Sequence, residues 1–123
     1  MEYLSKIFYL YILRDPNTNE VRYVGKTGNP KVRLSTHIRA AKYHARNPRE
    51  TWIHGLILNG QEPAMEILEI HPEGTWESRE RFLIDFYRQE GYNLTNVAIG
   101  GYGGRDLKKP KKERPKLLYY SLG

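Results

Sequence analysis

The run Ile7-Phe-Tyr-Leu-Tyr-Ile-Leu13, the turn Asp15-Pro-Asn-Thr-Asn19 and the run Val21-Arg-Tyr-Val-Gly25 together decide the fold. The first run is short, continuously apolar and rich in aromatics, the pattern of a central strand covered on both faces. Asp-Pro-Asn is turn chemistry, so the second run is expected beside the first as its antiparallel neighbour. A helix start follows, carrying Arg33 and His37 four residues apart and therefore on one side. Short-range chain geometry alone brings two tyrosine-bearing strands, Lys26 and this Arg/His pair close together. Phenols, a guanidinium and an imidazole in one small space suit a phosphate ester, which makes a phosphodiester the first substrate to consider.

Working outward, the first helix is expected to begin with Asn29 as N-cap and Pro30 at the first helical position. Leu34, Ile38 and Ala41 then form its apolar face, with Arg33 and His37 on the flank. A second helix repeats the punctuation: Asn47 caps it, Pro48 follows, and Glu50 completes a capping box. It carries Trp52, Ile53, Leu56 and Ile57 and stops at Asn59-Gly60. Residues 64–70 read as a third strand and residues 75–90 as a third helix ending at Gly91. A glycine-rich loop, Gly100-Gly-Tyr-Gly-Gly104, comes after them. The order β-β-α-α-β-α predicts a small α/β sandwich: a central three-stranded, mostly antiparallel sheet flanked by helices, with no internal repeat.

The 123 residues fit one domain with a modest core, expected over residues 1–104, followed by a basic tail over 105–123 that includes Lys108-Lys-Pro-Lys-Lys-Glu-Arg-Pro-Lys116. A net charge of +6 favours a polyanionic partner, nucleic acid before membrane. The absence of cysteine excludes disulfides and thiolate metal sites and fits a cytoplasmic protein. Met1 to Lys6 is not a signal-peptide start, and no apolar run approaches the ~20 residues of a membrane span. Four scattered histidines make a zinc site a poor fit; His54 and His71 read as structural.

The third helix holds a second signal. On a helical wheel Trp76, Phe82, Leu83, Ile84, Phe86 and Tyr87 form one broad apolar sector, and Glu80 lies inside it. A carboxylate there must be paired, bound to a metal or open onto a cleft, because burying it bare is costly. A structural ion pair with an arginine is one reading. A ligand for a hard cation is the other, since Mg²⁺ is commonly held by one or two carboxylates together with substrate phosphate and water.

These residues resemble a known family. Tyr9-Leu-Tyr11, Tyr23-Val-Gly25, Arg33, His37, Glu80 followed by Leu83-Ile84, and Gly91-Tyr-Asn93 are similar, in order and spacing, to the motifs of the GIY-YIG nuclease domain. The resemblance covers residues 7 to about 104, with Tyr9 standing where glycine is usual. It implies a metal-dependent DNA endonuclease with one Mg²⁺ or Mn²⁺ per site, a standalone catalytic domain of mobile-element, phage, restriction or repair type. DNA is the implied partner, with no small-molecule cofactor, and the protein is expected as a monomer or transient dimer.

On this reading Glu80 binds the metal, and Arg33 clamps a phosphate oxygen and stabilises transition-state charge. Tyr23 is the candidate general base or water-orienting group, Tyr11 a neighbouring phosphate or water contact, and His37 a proton acceptor or relay. A phenol with an ordinary pKa near ~10 is a poor base at neutral pH, so Tyr23 needs a cation beside it; Lys26 and the metal are the candidates. The choice between Tyr23 and His37 as base stays open. Asn93 is expected to fix the site's backbone or a phosphate, and His44, two turns beyond His37, to touch DNA. A non-catalytic nucleic-acid-binding module of the same fold is the alternative, with a small RNA-associated protein behind it.

Overall fold

The computed structural model describes residues 6–72 and 74–96. Six elements follow in the expected order: β1 (Ile7–Arg14), β2 (Val21–Thr27), α1 (Pro30–Tyr43), α2 (Pro48–Leu58), β3 (Ala64–Pro72) and α3 (Trp76–Gln89). The sheet has the order β2-β1-β3 and both pairings are antiparallel. The glycine-rich loop, 100–104, and the basic tail, 105–123, lie outside the described residues. Among the described residues no helix is long and apolar enough to cross a membrane.

β1 is central because both of its faces are apolar. Side chains alternate across a strand, so Leu10 and Ile12 pack on one side with Val21, Val24 and the α3 residues Leu83, Ile84 and Tyr87. Tyr11 and Leu13 pack on the other side with Ala41 of α1 and Ile53 of α2. Tyr11, Leu10, Ile12 and Leu13 have no exposed surface. Burying each such side chain contributes roughly 1.5–3 kcal/mol relative to exposure, so this strand is the main source of core stability.

The caps set the helix starts as the sequence predicts. Asn29 Oδ1 accepts from the Val32 amide at 3.2 Å, and Asn47 Oδ1 accepts from Glu50 N at 2.8 Å. The return arm of the second box differs from expectation: Glu50 Oε1 accepts from Arg46 N at 2.7 Å, one residue ahead of the cap. The α1 face also differs. Its buried residues are His37 and Ala41, while Leu34 and Ile38 are only partly covered. His37 is thus at the centre of the inward face rather than on its flank, because α1 lies with this position directly over Tyr11.

Asp15 builds the first turn and docks it. Its Oδ1 accepts from Asn17 N at 2.7 Å, its carbonyl from Asn19 N at 2.7 Å, and its Oδ2 from Trp52 Nε1 of α2 at 3.2 Å. Asn19 sits at φ 65, a left-handed position that asparagine tolerates. Two register shifts then re-aim side chains. Arg22 is the extra residue of β2 between the pairs Leu13↔Tyr23 and Arg14↔Val21. Leu68 is the extra residue of β3 between Leu10↔Glu69 and Tyr11↔Ile67.

The second bulge brings Leu68 and Glu69 onto the α3 side together. Glu69 is 3% exposed there and receives Arg79 of α3 in a two-pronged contact, Nε to Oε1 at 3.1 Å and Nη2 to Oε2 at 2.6 Å. His71 Nε2 adds a contact to Oε1 at 2.7 Å. Arg79 holds the Glu69 carboxyl below the usual range, outweighing the burial that pushes it up. This network fixes the start of α3 against β3.

Arg79→Ala leaves a carboxylate buried without its guanidinium. A destabilisation of about 3 kcal/mol is expected, read as a lower urea midpoint at unchanged m-value.

Candidate active site

The site is assembled from the α1–α2 side of the sheet. Tyr11 on β1 and Gly25 on β2 are register partners and face the same way, as do Tyr23 and Leu13. A Cβ on Gly25 would stand 2.5 Å from the Tyr11 hydroxyl oxygen, 2.6 Å from Tyr11 Cζ and 2.8 Å from Tyr23 Cε2. Only a residue without a side chain lets both phenol rings lie across β2 at this point. His37 then comes down from α1, and the Tyr11 hydroxyl lies 2.6 Å from its Nε2. The Tyr11 and Tyr23 ring centroids are 6.1 Å apart, and those of Tyr23 and His37 5.3 Å apart in an edge-on arrangement.

Two cations border this cluster. The Arg33 guanidinium, one turn before His37, acts on both phenols. Burial lowers its pKa, but hydrogen bonding and charge at Tyr11 and Tyr23 outweigh that and leave it raised. Arg49, in the first turn of α2, lies with its guanidinium 5.3 Å over the Tyr23 ring. Burial, reinforced by Arg33 and Arg49, pushes His37 down to about 3. Burial and the neighbouring Tyr23 hold Tyr11 well above the ordinary phenol range, with Arg33 and Arg49 pulling the other way. At neutral pH the pair is therefore a neutral phenol beside a neutral imidazole, with Tyr11 O–H donating when Nε2 carries no proton. Tyr23 is only half-buried, whereas Tyr11 and His37 are 0% and 1% exposed. Of the three rings, Tyr23 is the one that meets solvent.

Lys26 and Glu80 lie on the other face. Lys26 pairs with Leu10 and so faces α3, where its Nζ sits 4.4 Å from the Trp76 ring centroid and 5.1 Å from that of Phe8. Strand alternation thus separates Lys26 from Tyr23, and the cations beside the tyrosines are Arg33 and Arg49. Glu80 is half-buried among the α3 apolar residues. Burial raises its pKa, with Lys26 and Arg81 pulling it back and Glu77 adding to the rise. The two halves join at the consecutive residues Gly25 and Lys26 near the end of β2.

Other expected contacts are placed as follows. Asn93 is exposed, and its carbonyl accepts from Arg22 Nε at 2.8 Å. Asn96, which carries no motif signal, does the backbone work: its Nδ2 donates to Val24 O at 2.9 Å and its Oδ1 accepts from Val24 N at 3.0 Å. That pins the residue between Tyr23 and Gly25. His44 caps the C-terminus of α1 and is exposed. His54 bonds the Ala41 carbonyl at 3.0 Å and His71 bonds Glu69, both structural roles. Among the described residues no group of three or more His, Cys, Asp or Glu gathers to hold a metal. Arg49 had no sequence signal beyond a cation placed in the first turn of a helix, where the dipole disfavours it.

Residues 7–93 match the family model described as the GIY-YIG catalytic domain. No curated protein and no solved structure matches the chain significantly.

Gly25→Ala forces the phenol rings out of place. A loss of about 1–3 kcal/mol by chemical denaturation is expected, together with loss of the Tyr11–His37 contact. The depressed His37 makes the fold acid-sensitive. The unfolded chain takes up a proton near ~6.5 and the folded one only near 3, so stability is complete above pH ~6.5 and falls as pH drops toward 3. His37→Gln flattens that part of a stability–pH curve measured by urea unfolding.

Proposed function

Because the chain belongs to the GIY-YIG catalytic-domain family of nucleases, we propose that it is an active, divalent-metal-dependent DNA endonuclease. The observation that carries this reading is the convergence of Tyr11, Tyr23, Arg33 and His37 on one face of the sheet, with Gly25 making room for them. Tyr11 and His37 satisfy one another inside the core, but Arg33 and the partly exposed Tyr23 add polar groups beyond what that pair needs.

In this reading a phosphodiester lies across the end of β2. Arg33 binds a phosphate oxygen and offsets the charge that grows on the phosphorus centre. Tyr23, half-exposed and beside Arg33, orients the attacking water. His37 is neutral, and because its Nε2 accepts from the Tyr11 hydroxyl inside the core, a proton reaches it by relay through Tyr11. The negative charge of a bound phosphate offsets Arg33 and Arg49, which raises the basicity of His37 at the moment it is required.

A hard divalent cation fits Glu80. The carboxylate is half-buried with its pKa raised, so it gains from a positive partner, and Mg²⁺ or Mn²⁺ needs no more than one or two carboxylates from protein. Bound there, the ion would polarise the scissile phosphate and neutralise the leaving 3′-oxygen. Lys26, held over Trp76 and Phe8, supplies a further positive charge at that side for the DNA backbone. Asn93 and His44, both exposed, are proposed as outer contacts to the substrate strand. On this reading one site cleaves one strand per event.

The test is cleavage of labelled single-stranded, duplex and branched DNA, and of RNA, with and without Mg²⁺ or Mn²⁺. Metal-dependent cutting of DNA is expected. Glu80→Gln is expected to reduce it at least ~100-fold while raising the thermal midpoint by about 1–3 °C, because a partly buried charge is removed. Cutting by Glu80→Gln at the wild-type rate would sink the mechanism, and salt-sensitive binding without any cutting would identify a binding module instead.

A further inference from the structure

Arg49 does not belong to any motif that led to the site, yet its surroundings single it out. It is the second residue of α2, behind the Asn47 cap and Pro48, at the end of the helix where the dipole already concentrates positive charge. Its Nε is buried and has no hydrogen-bond partner among the described residues, and Arg33 Nε is in the same condition. Its one described ion pair is with Glu50 at 3.5 Å, too long for a good hydrogen bond, and Glu50's other oxygen is committed to Arg46 N. Two guanidiniums thus share the neighbourhood of Tyr11 and His37, and their charges act on both. The contact of Arg49 with the Tyr23 ring accounts for one face of the guanidinium, and the long Glu50 contact leaves its Nε without an acceptor.

We propose that Arg49 is a second phosphate-binding arginine of this site, working beside Arg33 to hold the substrate backbone over Tyr23. This rests on the phosphodiester reading above and extends it to a residue on α2. A guanidinium matches phosphate oxygens in a planar fork, so an anion between the two arginines would offer acceptors to N–H groups of both. The like charges then stop opposing one another and bind the same strand. A purely structural Arg49, packed on Tyr23, would contribute to stability and leave no mark on DNA affinity.

The decisive measurement is the salt dependence of binding of a short DNA duplex to the full chain, in the Glu80→Gln background so that nothing is cut. Arg49→Met keeps an unbranched stem over Tyr23 and removes the charge. The slope of log affinity against log salt is expected to fall by about 0.9, one phosphate contact. In the otherwise wild-type chain Arg49→Met is expected to lower kcat/KM about 100-fold, and Arg49→Lys to recover the slope but only part of the rate. An unchanged slope in a folded Arg49→Met protein overturns the proposal while leaving the nuclease reading intact. If Arg49→Met does not fold, Arg49→Gln answers the same question by the same slope. A wild-type chain without salt-dependent DNA binding overturns the nuclease reading itself, and this proposal with it.

Discussion

The contact between the Tyr11 hydroxyl and His37 Nε2, 2.6 Å long and sealed from solvent, is the constraint around which the α1–α2 half of the molecule is arranged. Tyr11 occupies a core position on the central strand, so its hydroxyl must find a partner inside the protein or cost the fold dearly. His37 meets that demand only if α1 lies with this position inward, which sets the helix's rotation. The tyrosine ring in turn demands an empty site at its register partner, and Gly25 provides it. One polar group placed in a core thus dictates a helix face and a glycine, and through them the path of β2 beside Tyr23.

The continuously apolar run of the first strand and the Asn-Pro starts of both helices were legible because they are local. Each is decided by residues within one turn or one strand, and the structure reproduces the order, the antiparallel pairing and the helix starts. The long-range features were not legible. The Leu68 bulge that turns Glu69 toward Arg79 depends on how two distant segments settle against each other. His37 at the centre of α1 was misplaced to the flank because a helical wheel scores it as polar, whereas the strand beneath it offers a hydroxyl.

The same limit applies at the site. Tyr11, Tyr23, Arg33 and His37 were singled out by local chain geometry and the family resemblance, and the structure brings these four side chains together. Lys26 was expected beside Tyr23, but one step along a strand reverses the face, so it stands with Glu80 and Trp76 instead. Arg49 and Asn96 were invisible for a related reason: neither is close in sequence to what it serves. Arg33 and Arg49 lie on one side of β2, while Lys26 and the carboxylate with the raised pKa lie on the other. A substrate that is both negatively charged and able to bring a metal ion would bridge these two sides, which neither half does for itself.

β2 is an edge strand, and edge strands tempt other chains to pair with them. The Arg22 carbonyl is instead taken by Thr95, from its amide at 2.6 Å and its hydroxyl at 2.8 Å, and both main-chain groups of Val24 by the Asn96 side chain. Arg88 holds the Asn96 carbonyl at 2.6 Å and keeps that segment in place. A side-chain amide here imitates a neighbouring strand. Another copy of the chain meets no open ladder at Arg22 and Val24, so this border resists the stacking that leads to aggregation while leaving the adjoining tyrosine free to face a solute.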